Sequence, residues 1–217
     1  LSTGAGIYLA EYAKKGLLTN FIRTCIEILS SLPSVVVGLF GYLIFVVQFE
    51  YGFSILSGAL ALTVFNLPQM TRNVEDSLRH VHHTQREAGL ALGLSRWETV
   101  LHVVIPEALP GIVTGIVLAS GRIFGEAAAL IFTAGQSAPA LDWSNWNPLS
   151  VTSPISIFRQ AETLAVHIWK VNSEGTIPDA TQVSAGSAAI LLIFILLFNL
   201  SARYIGKKLH AKMTSAA

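Results

Sequence analysis

Arg122 and Glu126 are the only charged residues in the apolar run from Gly111 to Gly135. A spacing of four puts both on one face of a helix, and their place in the run puts them near the middle of a membrane crossing. A charge alone in lipid is costly, and pairing lowers that cost without making burial a net gain. One reading is functional: a guanidinium can grip a tetrahedral oxyanion through paired N–H donors, with the carboxylate holding it between passages. The other is structural, a pair that fixes helix orientation within a bundle. On the first reading the ligand is an anion.

Other reactive residue types offer less. The run His80-Val81-His82-His83 lacks an i, i+4 histidine pair with a third ligand, so it reads as solvated histidines and no metal is expected. A lone cysteine, Cys25, in an apolar context excludes a disulfide framework and a cysteine-based metal site. The apolar runs hold no nucleophile–base pair, and the chain has no glycine-rich phosphate loop with Lys-Ser/Thr. It is therefore read as a non-enzyme without a cofactor, and any nucleotide hydrolysis must come from a partner.

The elements that would position these residues belong to a membrane. Apolar residues make up 52% of the 217 and charged ones 12%, and mean hydropathy is +0.58. The expected fold is all-α, a polytopic helix bundle filling 1–217. Residues 4–13 read as the last turns of one span. Further spans are expected at about 24–49, kinked by Pro33, at 54–71, where Asn66-Leu67-Pro68 frees carbonyls, and at 111–135 and 183–203. Gly111/Gly115 and Gly121/Gly125 are two small-xxx-small pairs suited to close helix contact. Arg23 and Glu27 lie four apart on an amphipathic stretch from Leu17 to Leu32. The opening Leu-Ser-Thr-Gly, without Met or a signal-type n-region, suggests a start inside a longer protein with earlier span or spans missing.

Two polar segments separate the spans. Residues 72–110 describe helices around a tight corner. Gly93 can turn left-handed at a helix end, Ser95 and Glu98 form a capping box, and a second helix begins at about Arg96 and ends before Pro106 and Pro110. Ala88, Gly89 and Ala91 would keep one surface low for another backbone, and Glu87 offers an acceptor to a partner's cation; the alternative is an ordinary surface helix pair. Residues 136–182 carry Trp143, Trp146 and Trp169, with a helical stripe from Ile155 to Val171 expected along the outer surface.

Charge placement orients the chain. Lys14, Lys15, Arg23, Arg72, Arg79, Arg86, Arg96, Arg203, Lys207, Lys208 and Lys212 fall on one side, and only Arg159 and Lys170 on the other. By the positive-inside rule the first set is cytoplasmic and so is the corner. The formal charge of +1 gives no reason to expect nucleic acid.

Glu87-Ala88-Gly89, Gly93 and Val103-Val104-Ile105-Pro106 together resemble the loop signature of ABC importer membrane subunits, with Gly89 for the usual Ala and Ile105 where Leu is commoner. Gly6 to Ala13, Leu32 to Gly41, Leu109 to Gly115 and Gly121 to Ala128 narrow the resemblance to the A-type phosphate transport permeases. The resemblance implies a multi-pass protein of the bacterial inner membrane, half of an ATP-driven phosphate pathway. Its implied partners are a second permease, a cytoplasmic ABC ATPase dimer and an extracytoplasmic phosphate-binding protein. Arg122 and Glu126 would then lie on the phosphate path, and Glu87, Ala88, Gly89, Gly93 and Pro106 in the ATPase-coupling element. A permease for molybdate or sulfate is the nearest alternative, and a passive channel or ion-coupled carrier the next.

Overall fold

The computed structural model describes residues 1–175 and 178–215, leaving aside the side chains of Leu209 and of 212–215. Thr176 and Ile177 of the outer loop, and the Lys212 side chain counted above, thus lie outside the described residues. The regular elements of the described residues are all helical, with no strand among them. In order they form α1 (Ser2–Ile7) continued by a π-helical turn (Tyr8–Tyr12), α2 (Leu17–Ser30), α3 (Ser34–Gly41) continued by a π-helical segment (Tyr42–Gln48), and α4 (Ile55–Arg79). There follow α5 (His83–Ala91), α6 (Arg96–Thr99) with a π-helical turn (Val100–Val104), α7 (Ile105–Phe124), α8 (Ala128–Thr133), α9 (Leu164–Glu174) and α10 (Ala180–Ser215). Two continuous helices, 96–124 and 180–208, are long and apolar enough to cross a membrane, or up to three if the broken pair 17–30 and 34–48 is one span.

The chain divides into two compact units. The first comprises residues 1–30, 66–121 and 196–217. Its core is Val74 and Leu78 of α4, Val81, and Val104, Ala108 and Ile112 along the sixth and seventh helices, with Ile7 and Ala10 packed against it. Small residues bring the backbones together. A Cβ on Gly6 would stand 2.6 Å from Val74 Cγ1, one on Gly111 2.8 Å from Ser77 Oγ, and one on Gly115 3.0 Å from Asn73 Cβ. The pair Gly111/Gly115 is thus the α4–α7 contact. Gly121/Gly125 is not a second one, because α7 stops at Phe124 and Gly125 lies in the turn beyond it.

Charge pairing in this unit crosses between helices. Arg23 Nε donates to Glu75 Oε1 at 2.8 Å, while Glu27 lies 3.3 Å from Arg72. The i, i+4 spacing of Arg23 and Glu27 therefore serves two contacts with α4. Glu75 is buried and also meets Arg79 at 3.0 Å.

The helix after the corner does not end before Pro106, as proline chemistry alone predicts; it runs from Arg96 to Phe124. Ile105 N–H reaches back to Val100 O in the π-turn just before Pro106, and this wider turn makes room for the proline ring. Pro110 leaves the carbonyl of Pro106 without its helical donor, and His210 Nδ1 lies 3.2 Å from that oxygen. An accepting carbonyl fixes the tautomer, so the imidazole donates. Pro68 is likewise inside α4, about three turns short of its end, and the Thr71 hydroxyl donates to Leu67 O at 2.9 Å beside it. Pro33 ends the expected 24–49 helix altogether: it is extended, and α3 begins after it.

The second unit comprises residues 31–65 and 122–195. Glycine again sets the spacing: a Cβ on Gly38 would stand 2.8 Å from Ala129 Cα, and one on Gly41 2.9 Å from both Ala61 Cβ and Thr133 Cγ2. The expected surface helix from Ile155 is shorter than its stripe. Arg159 O and Ile157 O accept the N–H groups of Ile55 and Leu56 at 2.9 Å, so this backbone caps the start of α4. Only at Thr163, whose hydroxyl accepts from Val166 N–H, does α9 begin. Trp143, Trp146 and Trp169 are all exposed.

Candidate functional site

The corner is built almost entirely by local rules. After α5, Gly93 has φ +87°, Leu94 N–H donates to Gly89 O at 3.2 Å and Gly93 N–H to Leu90 O at 3.0 Å. These are the two bonds of a Schellman ending, which needs a residue at ease with positive φ at that position. Ser95 then opens α6. Its N–H donates to Glu98 Oε2 at 2.8 Å and its hydroxyl accepts from Glu98 N–H at 3.3 Å, a reciprocal capping box.

The surface this creates differs in one respect from the expected low face. Ala88, Ala91 and Glu87 are exposed, with Glu87 3.2 Å from His83 Nδ1. Gly89 instead faces inward, where a Cβ would stand 2.9 Å from Thr99 Cγ2. Sequence reasoning also missed Leu90, Leu92 and Trp97, exposed by 47%, 83% and 55%. Large apolar side chains that stay in solvent around a polar corner are what a docking face requires. Their occurrence inside an otherwise polar segment was the available signal.

The corner is anchored by Arg86. Its guanidinium donates to Glu11 Oε1 at 2.8 Å, to Leu78 O at 2.7 Å and to Val81 O at 2.6 Å. Leu78 lies in the last turn of α4 and Val81 just past its end, so one planar cation closes that helix and ties both it and the α1 segment to α5. Arg96 adds a bond to Glu11 O at 3.0 Å and lies over the Tyr12 ring. Pro106, expected in the same element, sits within α7, four residues from Pro110.

In the other unit, Arg122 and Glu126 are not carried by one helix. Arg122 lies in the last turn of α7, its guanidinium carbon 4.4 Å from the centroid of Phe65, a buried side chain of α4. Glu126 lies past the helix end, and its Oε1 accepts the N–H of Ala129 in the first turn of α8 at 3.1 Å. The carboxylate therefore caps α8. Gly125 accounts for the change: helix propensity falls there, and a broken helix exposes N–H groups that a carboxylate satisfies. The histidines of the 80–83 run point to separate partners: His80 to Asp76 O, His82 to Thr84 and His83 to Glu87. Among the described residues no group of three potential metal ligands forms.

A helical bundle with a capped polar corner between apolar helices is the build of an importer permease, and residues 2–215 match the family described as binding-protein-dependent transport system inner membrane component. The chain belongs to this family and is a membrane-spanning permease of the ABC importer type. It is 57% identical over 215 residues to the probable ABC transporter permease protein YqgI of Bacillus subtilis (strain 168), covering 99% of this chain and 73% of that protein. It is 39% identical over 209 residues to the phosphate transport system permease protein PstA of Yersinia pestis, covering 95% of this chain and 65% of the relative. The corresponding figures for PstA 2 of Mycobacterium bovis (strain ATCC BAA-935 / AF2122/97) are 36% over 199 residues, 91% and 61%. The chain thus spans less than two thirds of these two phosphate permeases. Among solved structures, a chain of the MetNI methionine ABC transporter in an inward-facing conformation superposes with a TM-score of 0.70, covering 96% of this chain and 86% of that one at 18% identity. That likeness concerns the fold.

Proposed function

We propose that this chain is one half of the pathway of an ATP-driven phosphate importer. The observation that carries the reading is an arginine, Arg122, at the end of a membrane-length helix in a chain whose relatives include permeases named for phosphate transport. A guanidinium offers paired donors to a tetrahedral oxyanion, and that of Arg122 is exposed, with one face over the Phe65 ring. Glu126 serves this site indirectly, as a positioning residue whose cap on α8 maintains the break beside Arg122.

The corner supplies the energy input. Glu87, Ala88 and Gly93, with Leu90, Leu92 and Trp97, form the face on which a cytoplasmic ATPase docks, while Gly89 packs inside it. Pro106 and its π-turn carry movement of α6 into α7, whose last turn holds Arg122. The ATPase acts as a dimer, a second permease completes the pathway, and an extracytoplasmic binding protein delivers phosphate to the side bearing the tryptophans.

The test is to purify the chain with its co-eluting subunits and measure ATP hydrolysis with phosphate-loaded binding protein. Stimulation by phosphate and not by molybdate or sulfate is expected. Stimulation by either of those anions in place of phosphate would move the substrate to another oxyanion, and a purification without any ATPase would leave a passive channel or ion-coupled carrier.

A further inference from the structure

The two helices of membrane length meet in the first unit where Gly206 of α10 lies on Val113 of α7; a Cβ there would stand 2.5 Å from Val113 Cγ1. Beside this contact is a cleft of about 520 Å³. Its walls are apolar, formed by Pro110, Val113 and Leu200, and its rim carries Arg203, Tyr204 and Lys207. Among the described residues, no Asp or Glu lines it. Leu200 and Tyr204 are exposed by 66% and 67%, and both rim cations are exposed as well.

Two chemistries therefore meet in one place. An apolar floor continues the surface of a spanning helix, and two fixed cations stand one turn apart where that helix leaves the hydrocarbon. A free inorganic anion would satisfy the cations and leave the floor bare. A molecule with an anionic head and an acyl chain covers both. We propose that the cleft seats one anionic phospholipid, its phosphate between Arg203 and Lys207 and an acyl chain along Val113 and Leu200. Basic pockets between membrane helices on the cytoplasmic side have the character needed for such headgroups. The site lies among the basic residues that the positive-inside rule places in the cytoplasmic leaflet. His210 borders the same cleft, and its bond to Pro106 O brings the seam next to the prolines of α7. The proposal rests on the membrane family and this orientation, and is independent of which anion is transported.

The complete transporter, with a photoactivatable benzophenone amino acid replacing Leu200, is reconstituted in phosphatidylcholine vesicles containing a minority of phosphatidylglycerol. After illumination, the adducts are identified by mass. Phosphatidylglycerol adducts are expected in excess of its share of the vesicle, by roughly five-fold for each contributing cation. Arg203→Gln with Lys207→Gln should return the ratio to the vesicle composition, while Arg203→Lys with Lys207→Arg should keep the excess. An adduct ratio equal to the bulk lipid ratio, an excess that survives the double glutamine variant, or adducts on another subunit of the complex would each overturn the proposal. Loss of phosphate specificity in uptake would leave the adduct ratio unchanged and would count against the transport reading alone.

Discussion

Arg86 and Glu11, 75 residues apart in the chain, face each other as a largely buried pair, Nη2 to Oε1 2.8 Å. The same guanidinium takes up two carbonyls at the end of α4, so the α1 segment, α4 and α5 share one fastening. Any displacement of the corner is handed to all three.

Removing that fastening leaves a carboxylate and two carbonyls short of a donor. Arg86→Ala should cost about 3 kcal/mol, the range for breaking a largely buried pair, read as a lower midpoint in thermal unfolding of the purified complex. Arg86→Lys should recover only a small part, because one ammonium cannot reproduce the fork. A lysine variant as stable as the parent chain would show that the planar geometry is unimportant.

Gly89 and Thr99 form a size-complementary pair across the corner. Gly89→Ala places a methyl 2.9 Å from Thr99 Cγ2 and should destabilise by about 1 to 3 kcal/mol through overpacking. Thr99→Ser removes that methyl, so the double variant should be more stable than Gly89→Ala alone. Additive losses in the double-mutant cycle would contradict the contact.

Glu126→Gln and Glu126→Ala separate capping from charge. A carboxamide oxygen still accepts from Ala129 N–H, so the glutamine variant should keep most transport. The alanine variant should lose about 1 kcal/mol of local stability and transport with it. Equal loss in both would return Glu126 to a charge-dependent role on the path.

Leu92 and Trp97 stand in solvent, so Leu92→Ser and Trp97→Ser should change the chain's own stability by less than about 0.5 kcal/mol. Each should nonetheless weaken retention of the ATPase, scored as subunit stoichiometry after purification. Unchanged retention in the double variant would remove these residues from the docking face.

The parts of this protein that could be read from its sequence are those fixed within one or two turns. Gly93 and the Ser95–Glu98 box follow from bonds between near neighbours, and Gly111/Gly115 from a spacing that marks a close helix contact. What escaped depends on helix breaks and on packing partners that residue spacing does not show. Pro106 reads as a stop, yet a π-turn and His210 accommodate the prolines within the helix. Arg122 and Glu126 read as a helical pair, yet Gly125 ends the helix between them and gives the carboxylate a backbone partner. Gly89 reads as part of an open face, because nothing local reveals that Thr99 lies beneath it.

Phosphate uptake by the complete transporter carrying Arg122→Ala is the most direct measurement of the central claim. Uptake should fall to background while the subunits still assemble and the ATPase remains bound to the corner. Phosphate transport at the parental rate in an assembled Arg122→Ala complex would contradict it.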